Sequence, residues 1–222
     1  MRMRKKKWAE PYLEEHRDLA LADPQEYKGT WHEFLQCETL HVELGMGKGD
    51  YLIEMAHMYP EEGWVGVEKD RSAAATALRK AVEEEQADWH NKRMIPGNAE
   101  DLENWFAEGE IDVLHLNFSD PWPKKYTHKR RLSSERFLTM YRRLLSEKGI
   151  VQMKTDNKDL FEDSVLYFLQ NGFTAVDFSV DYRRNEHPED AITEYERRFL
   201  DLGQPIYRIT VRPCRRETDM LE

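Results

Sequence analysis

The sequence predicts an α/β protein built on a doubly wound, mostly parallel seven-stranded sheet. From about residue 40, short apolar runs alternate with stretches of helical periodicity, which is typical of strands joined by covering helices. A glycine-rich turn follows the first of these runs, where an open sheet of this kind forms its ligand crevice. No internal repeat or low-complexity linker interrupts the pattern, so one sizeable core is expected.

Seven apolar segments are predicted to be the strands. In chain order they are TLHVEL (39–44), WVGVE (64–68), RMIPG (93–97), DVLHLNF (112–118), IVQMKT (150–155), FTAVDFS (173–179) and PIYRITV (205–211). Because ligands bind outside the carboxyl ends of strands in an open sheet, the residues that follow these segments are the first candidates for a site.

Amphipathic helices are predicted between the strands. Over residues 70–86, one apolar face repeats at the i, i+3, i+4, i+7 and i+8 spacing, formed by Ala74, Ala77, Leu78, Ala81 and Val82. Two further helices have stripes interpreted as core, formed by Phe137, Tyr141 and Leu144 and by Phe161, Val165 and Phe168. Residues 1–36 are expected to form a partly helical extension with a basic start, and residues 37–222 the domain that contains the sheet.

Composition argues against several classes of protein. No apolar run approaches the roughly 18 residues of a membrane span, and the basic start lacks the apolar stretch of a signal peptide, so no membrane association and a cytoplasmic location are expected. Cys37 and Cys214 form no CxxC pair, which indicates neither a disulfide framework nor a metal site. They are interpreted as two isolated core thiols.

The charge distribution is more informative than the net charge. With 33 basic and 43 acidic residues the formal charge is −10, which argues mildly against a general nucleic-acid binder. Basic residues nevertheless cluster twice, at Arg2, Arg4, Lys5, Lys6 and Lys7, and at Lys124, Lys125, Lys129, Arg130 and Arg131. Taken alone, the terminal cluster is interpreted as a solvated end, because charge runs are commonly disordered.

The glycine-rich turn HVELGMGKGDYL favours a particular ligand. Gly45, Gly47 and Gly49 follow the first strand and precede a helix, where a ligand meets bare backbone. Their spacing is GxGxG, so the third glycine of a dinucleotide fingerprint is replaced by Asp50. Glu43 stands at the strand's end and would pair with the ammonium of S-adenosylmethionine, whereas it would repel a pyrophosphate.

The next strand ends supply further polar groups. Glu68 ends the second strand and could accept hydrogen bonds from both hydroxyls of a ribose, a feature shared with NAD enzymes. Asn98 could meet an adenine edge or cap the helix that follows it. Asp120 ends the fourth strand, and Pro121 and Pro123 stiffen the turn around Trp122, which could stack on a flat base.

These motifs resemble the bacterial tRNA (guanine-N(7)-)-methyltransferase family over nearly the whole chain. The resemblance depends on RKKKWA, VELGMGKGDYL, VGVEKD, LNFSDPWPKK with HKRRL, MKTDN, TEYERRF and GQPIYR, in family order. It implies a Rossmann-like class I methyltransferase fold and a transfer from S-adenosylmethionine to guanine 46 in the variable loop of tRNA. It implies no metal, and leaves open a monomer or a homodimer.

The resemblance also implies roles for individual residues. Cofactor-binding residues would be Glu43, Gly45, Gly47, Gly49, Glu68, Asn98 and Asp120, with Asp120 also catalytic. Substrate contacts would be Lys124, Asp156, Thr193, Glu194, Tyr195 and Glu196. The RNA-contact segment would be Tyr126, Thr127, His128, Lys129, Arg130 and Arg131.

Two departures from the family pattern concern this site. Many members have Lys-Lys-Arg-His where this chain has Lys124, Lys125, Tyr126 and Thr127, so one positive charge is missing from the basic loop. Asn98 replaces an Asp of some members but keeps an acceptor oxygen, so donor binding is expected to persist.

The chemistry of guanine N7 indicates what the acceptor side must provide. N7 has no proton to lose, so methyl transfer needs alignment rather than a general base, and positive charge develops on the purine. Asp156 and Glu196 are predicted to stabilise that charge and to accept hydrogen bonds from the guanine edge. Their structural alternatives are a cap of the helix that starts near Lys158 and an ion pair with Arg197 or Arg198.

The sequence leaves three alternative functions. An NAD-dependent oxidoreductase would share the sheet and Glu68 but lacks the third fingerprint glycine. A non-catalytic RNA-binding module would keep the fold without methyl transfer. A methyltransferase that acts on an exocyclic amine through the DPWP motif is the third alternative.

Overall fold

The computed structural model describes residues 5–83 and 89–214. Its centre is a seven-stranded sheet, which confirms the predicted fold class. The strands are β1 (Leu40–Leu44), β2 (Gly63–Val67), β3 (Lys92–Ile95), β4 (Ile111–Asn117), β5 (Leu145–Thr155), β6 (Phe173–Ser179) and β7 (Tyr207–Pro213). All seven predicted segments are therefore strands, although β5 begins at Leu145 rather than at residue 150.

The strand order is β3-β2-β1-β4-β5-β7-β6. β1 pairs in parallel with both β2 and β4, so the chain winds to one side of β1 and then to the other. Only β7, which lies between β5 and β6, runs antiparallel to its neighbours. The carboxyl ends of β1, β2, β4 and β5 thus meet at one edge, and the reversal at β1 and β4 leaves a crevice there.

The helices cover both faces of this sheet. They are α1 (Ala9–Glu15), α2 (Trp31–Leu35), α3 (Asp50–Met58), α4 (Arg71–Glu83), α5 (Leu102–Trp105), α6 (Glu135–Leu144), α7 (Lys158–Gln170) and α8 (Glu194–Asp201). One core cluster contains Trp31, Phe137 and Phe161, and a second contains Trp64 and Leu78. All of these side chains are at least 97% buried, so each face has its own tightly packed layer.

The predicted apolar faces of the helices point into these cores. Ala74, Ala77, Leu78 and Ala81 are buried on α4, and the stripes of α6 and α7 are buried apart from the half-buried Val165. Residues 84–86, which were expected to extend α4, lie outside the described residues.

Residues 5–36 pack against the sheet. Trp31 on α2 is fully buried in the first core cluster, and Ala20 bridges to Met94 at the end of β3. Lys6 reaches α4, where its Nζ donates to Thr76 Oγ1 at 2.8 Å. Arg2 and Arg4 of the basic start, and residues 215–222 of the predicted domain, lie outside the described residues.

The two cysteines differ from the expectation of core thiols. Cys37 is half-buried and Cys214 is exposed. Cys214 follows Pro213 at the end of β7, where the chain leaves the sheet, so the prediction for this residue was wrong. Among the helices described here, none is both long enough and apolar enough to cross a membrane.

Candidate functional site

Two adjoining cavities occupy the carboxyl edge of the sheet. The first, of about 250 Å³, is lined by residues that include Glu43, Gly47, Asn117, Thr193 and Tyr195. The second, of about 380 Å³, is lined by residues that include Glu68, Asn98, Asp120, Trp122 and Arg130. Gly45 and Phe118 line both cavities, so the two form one elongated crevice.

Buried acceptors form the floor of the first cavity. Glu43 is the last residue but one of β1 and is 98% buried, and Asn117 at the end of β4 donates from Nδ2 to its Oε1 at 3.1 Å. Glu43 Oε2 and Asn117 Oδ1 are both buried without a hydrogen-bond partner among the described residues. Because an unsatisfied buried acceptor is costly, this pair is suited to a ligand that brings several N–H donors and a positive charge.

Burial also changes the protonation of Glu43. It raises the pKa of this carboxyl from 4.5 to about 7, although the hydrogen bond from Asn117 opposes the shift. A bound cation would favour the carboxylate, because an opposite charge at contact lowers the pKa of an acid.

The three glycines of the turn have different roles. Gly45 and Gly47 both have positive φ, of 78° and 57°, and a Cβ on either would meet no atom within 4 Å. Their backbone therefore borders open space, where a ligand can approach closely. Gly49 instead packs against α4, since a Cβ there would lie 2.9 Å from Ala77 Cβ. Gly49 lines neither cavity, and the cofactor contact expected there stays a prediction.

Glu68 links the end of β2 to the glycine turn. Its Oε2 accepts from Gly47 N at 3.1 Å and its Oε1 from Asp70 N at 2.7 Å. Burial raises the pKa of Glu68, while these two hydrogen bonds oppose the shift. Each carboxylate oxygen has a second lone pair, so Glu68 can hold the turn and accept from a diol at the same time.

The second cavity contains the other predicted donor-side groups. Asn98 Oδ1 accepts from Glu100 N at 3.3 Å, so the cap that was left open as an alternative does form, and the side chain still lines the cavity. Asp120 is exposed at the mouth of the cavity. The ring of Trp122 lines it as well, with Arg130 and Lys69 lying 5.0 and 5.8 Å from the ring centroid. Trp122 therefore faces the side of Glu68 and Asn98.

Backbone strain is concentrated in the turn after β4. Phe118 and Trp122 have positive φ values of 50° and 41°, which are uncommon for bulky residues. Only three non-glycine residues have positive φ in the described chain, and two of them flank Ser119 to Pro121. Such strain persists where surrounding structure enforces it, and it is frequent at ligand sites.

The connection between β6 and β7 forms the opposite wall of the first cavity. Thr193, Glu194 and Tyr195 begin α8 and line the cavity, and Thr193 Oγ1 caps the helix by accepting from Glu196 N. The ring of Tyr195 contacts that of Phe118, with centroids 5.2 Å apart. This contact brings the predicted substrate segment to the turn after β4.

Asp156 lies close to the same wall. It follows β5, is half-buried, and has a pKa raised by burial. Burial is the main cause of the raised pKa of the Tyr195 hydroxyl, and Asp156 is the next. The cap of α7 is Asn157, whose Oδ1 accepts from Leu160 N at 2.8 Å, so Asp156 does not have the capping role that was its alternative.

Glu196 is placed differently from the expectation. Its side chain is fully buried and contacts Arg183 at 2.5 Å and Lys154 at 3.7 Å, rather than Arg197 or Arg198. It lines neither cavity. In this arrangement its carboxylate is enclosed by cations and does not face the crevice.

The basic loop divides into an exposed part and an internal part. Lys124, Lys125, Tyr126, Lys129 and Arg130 are exposed. Thr127 donates to the carbonyl of Lys124 at 2.6 Å, and the ring of His128 contacts Tyr167.

Arg131 belongs to the internal part of this loop. Its side chain is 98% buried and donates to Asp163 at 2.6 Å and to the carbonyl of Pro121 at 2.7 Å. Arg131 is therefore an ion-paired, structural arginine, and its buried side chain does not support the RNA contact that the resemblance implies.

Sequence reasoning missed Asn117 and the support that Arg131 gives to the DPWP turn. Asn117 directly precedes the motif, but nothing in its local sequence shows that it faces Glu43, which is 74 residues away. Across residues 5–83 and 89–214, no three His, Cys, Asp or Glu side chains are arranged to hold a metal ion.

Comparisons with known proteins identify relatives of the whole chain. A family model described as "Putative methyltransferase" matches residues 37–209. A tRNA (guanine-N(7)-)-methyltransferase from Oceanobacillus iheyensis is 43% identical, with coverage of 94% of this chain and 97% of the relative. One from Geobacillus kaustophilus is 40% identical, with coverage of 98% and 100%.

Solved structures share the fold at much lower identity. An antibiotic-related methyltransferase is 16% identical with a TM-score of 0.61, covering 80% of this chain and 89% of its own. A 16S rRNA (adenine(1408)-N(1))-methyltransferase variant from Catenulisporales acidiphilia, solved with cosubstrate SAM, is 13% identical with a TM-score of 0.60, covering 87% and 92%. At these identities the likeness concerns the fold alone.

Proposed function

Because the chain belongs to the tRNA (guanine-N(7)-)-methyltransferase family, we propose that it transfers the methyl group of S-adenosylmethionine to N7 of guanine 46 in the variable loop of tRNA. The observation that supports this most directly is the crevice with buried, unpartnered acceptors at one end and a half-buried carboxylate beside the other wall. Since bacterial tRNA is cytoplasmic, the proposed place of action is the cytoplasm. Whether the enzyme is a monomer or a homodimer stays a prediction.

The donor-side residues fit S-adenosylmethionine. Glu43 Oε2 and Asn117 Oδ1 would accept from its ammonium, and Glu68 would accept from its ribose hydroxyls. Gly45 and Gly47 would let it approach the backbone, and Asn98 and Asp120 would lie along its nucleoside end. When bound, the donor supplies a sulfonium methyl group for direct displacement.

The acceptor-side residues would align the guanine. No base is needed, because N7 offers its lone pair without losing a proton. Asp156 would stabilise the positive charge that develops on the purine, and Thr193, Glu194 and Tyr195 would hold the base against the turn at Phe118. Lys124 and the exposed part of the basic loop would contact the phosphates.

The experiment that tests the proposal is the mapping of the methylated atom. Purified protein, bulk tRNA that lacks the modification and labelled S-adenosylmethionine are expected to give 7-methylguanosine at position 46. Methyl groups on an exocyclic amine or at another nucleotide would contradict the proposal, and so would the absence of transfer from a protein that binds the donor.

Donor binding is expected to depend on pH through Glu43. The pKa of Glu43 is about 7 without ligand, and binding of an ammonium requires the carboxylate. Affinity should therefore fall toward about tenfold per pH unit below about pH 7, and fall again near and above about pH 8, where the donor's own α-amino group loses its proton. Isothermal calorimetry across pH 5.5–8.5 measures this, and uptake of a proton by the buffer should accompany binding at low pH. A pH-independent affinity would contradict the role of Glu43.

Binding of tRNA is expected to depend on salt through the exposed part of the basic loop. Lys129→Ala and Arg130→Ala should each reduce the slope of log affinity against log salt by roughly 0.7–0.9, because each removes about one phosphate contact. Lys148→Ala is the matched control, since Lys148 is exposed near the amino end of β5, away from the crevice edge. Unchanged slopes for Lys129→Ala and Arg130→Ala in folded variants would exclude these residues as phosphate contacts.

A further inference from the structure

Four charged side chains are buried together beneath the substrate segment. Lys154, Arg183, Asp190 and Glu196 expose at most 8% of their side chains. Arg183 Nη2 and Lys154 Nζ contact Asp190 Oδ2 at 2.5 and 2.6 Å, and Arg183 Nε contacts Glu196 Oε1 at 2.5 Å. Two cations thus neutralise two anions, and we name these four residues the ion cluster.

The ion cluster joins three segments of the chain beside the crevice, namely β5, the chain from Arg183 to Ala191, and α8. Lys154 is on β5, two residues before Asp156, and Glu196 is on α8 directly after Tyr195. Arg183 also donates to the carbonyls of Asp190 and Ala191, at 3.2 and 3.1 Å. These two hydrogen bonds fix the position of the chain that leads into Thr193. The orientation of the substrate segment therefore depends on these contacts.

Tyr51 connects the ion cluster to the donor side. It lies on α3, directly after the glycine turn, and lines the first cavity. Its hydroxyl donates to Asp190 Oδ1 at 2.9 Å, and Lys154 Nζ lies 4.5 Å from its ring centroid. Burial is the main cause of the raised pKa of the Tyr51 hydroxyl, followed by Asp190, so the hydroxyl stays protonated and can donate.

Stability alone gives a weak reason for such a cluster. Apolar side chains of similar volume often stabilise a core as well as buried ion pairs do, because burying each charge costs several kcal/mol. Charged groups with directional hydrogen bonds do, however, fix one geometry, and methyl transfer is sensitive to misplacement of the base by about 1 Å.

We propose that Lys154, Arg183, Asp190 and Tyr51 are positioning residues for the acceptor base, and that Glu196 acts through them rather than by contact with the guanine. This inference rests on the proposed function. The ion cluster holds Asp156 and Tyr195 at a fixed place over the donor, and the hydrogen bond from Tyr51 to Asp190 couples this wall to the glycine turn.

Tyr51→Phe is the first test, with Tyr59→Phe as its matched control. Tyr51 lies in the first turn of α3 and Tyr59 directly follows its last turn, and Tyr59 donates its hydroxyl to the carbonyl of Glu189 at 2.9 Å without a hydrogen bond to the ion cluster. Tyr51→Phe is expected to lower kcat/KM for tRNA about 10-fold, with the donor Kd within about twofold. Tyr59→Phe should leave both unchanged. Parental kcat/KM in Tyr51→Phe, or a loss confined to donor affinity, would overturn the proposal.

A double-variant cycle tests the role of Glu196. Glu196→Gln and Arg183→Lys are each expected to lower kcat/KM about 100-fold, and the double variant should be no worse than either, because all act on one geometry. Independent, multiplying losses would overturn the proposal, since they indicate a separate contact of Glu196 with the base. If either single variant does not fold, the Tyr51→Phe comparison still decides the question. Failure of the proposed function would appear differently, as parental protein that does not methylate N7.

Discussion

Replacing Glu43 by Gln is expected to weaken S-adenosylmethionine binding by about two to three orders of magnitude while stabilising the ligand-free protein. Glu43 presents a buried oxygen without a partner, and the donor's ammonium would be its counter-ion. Leaving that ammonium without a carboxylate costs about 3–5 kcal/mol, because the site is enclosed. The expected loss of affinity follows from this cost.

The expected gain in stability follows from the raised pKa of Glu43. A carboxyl whose pKa is about 7 folded and 4.5 unfolded binds its proton more tightly in the folded state. The contribution of this group to the free energy of unfolding is therefore greatest below pH 4.5. This contribution is lost as the pH rises through about 7, and the loss amounts to roughly 3 kcal/mol at most. Gln removes the buried charge, so the variant should be more stable by about 1–3 kcal/mol at pH 8 and no more stable at pH 4.

Thermal denaturation at pH 4 and pH 8, together with calorimetric titration of the donor, tests both effects. Glu54→Gln is the matched control, because Glu54 is an exposed carboxylate on α3 and should change neither quantity. A Glu43→Gln variant that binds the donor as tightly as the parent would exclude Glu43 from the donor site. A variant that is less stable at pH 8 would mean that the carboxylate has a stabilising partner.

Asp156→Asn is expected to lower turnover on tRNA about 100-fold with little change in donor affinity. The carboxylate is half-buried with a raised pKa, so it lies in a medium where its charge acts strongly on a neighbouring purine. Asn keeps the size but cannot stabilise the charge that develops during transfer. Single-turnover measurements at saturating donor and tRNA isolate this step.

Asp159→Asn is the control for this variant. Asp159 lies three residues further along, is exposed in the first turn of α7, and should leave turnover unchanged. Near-parental turnover in Asp156→Asn would show that this carboxylate does not act on the acceptor base. An equal loss in both variants would point to a disturbed start of α7 instead.

Much of the fold and part of the site could be predicted from the sequence. Strands were recognisable because their apolar runs are short and separated by helical periodicity, and Glu43 and Glu68 because strand ends in such a sheet border a crevice. Local patterns also indicated a cap as one of the two alternatives for Asn98, and this cap forms. These predictions depend on neighbours within a few residues.

The remaining features depend on residues that are distant in sequence. Glu196 was predicted to contact the guanine, with an ion pair to Arg197 or Arg198 as the structural alternative. Its partners are instead Arg183 and Lys154, which come from the turn after β6 and from β5. The sequence suggests that Arg131 is one more exposed cation in a basic run, but its side chain is buried and forms a salt bridge with Asp163 on α7. In the sequence Gly49 resembles the other two glycines, but in the structure it packs against α4 whereas they border open space. Only tertiary packing distinguishes these cases.

The strand order separates the two halves of the reaction along the chain. The groups proposed to hold the donor come from residues before, within and just after β4, and those proposed to hold the acceptor base come from residues after β5, chiefly the connection from β6 to β7. Substitutions in that late connection that keep Asp190, the acceptor of the Tyr51 hydrogen bond, would therefore alter the acceptor side and leave the glycine turn in place. Evolution of a new target would then be separable from retention of the donor, provided that this one contact is kept.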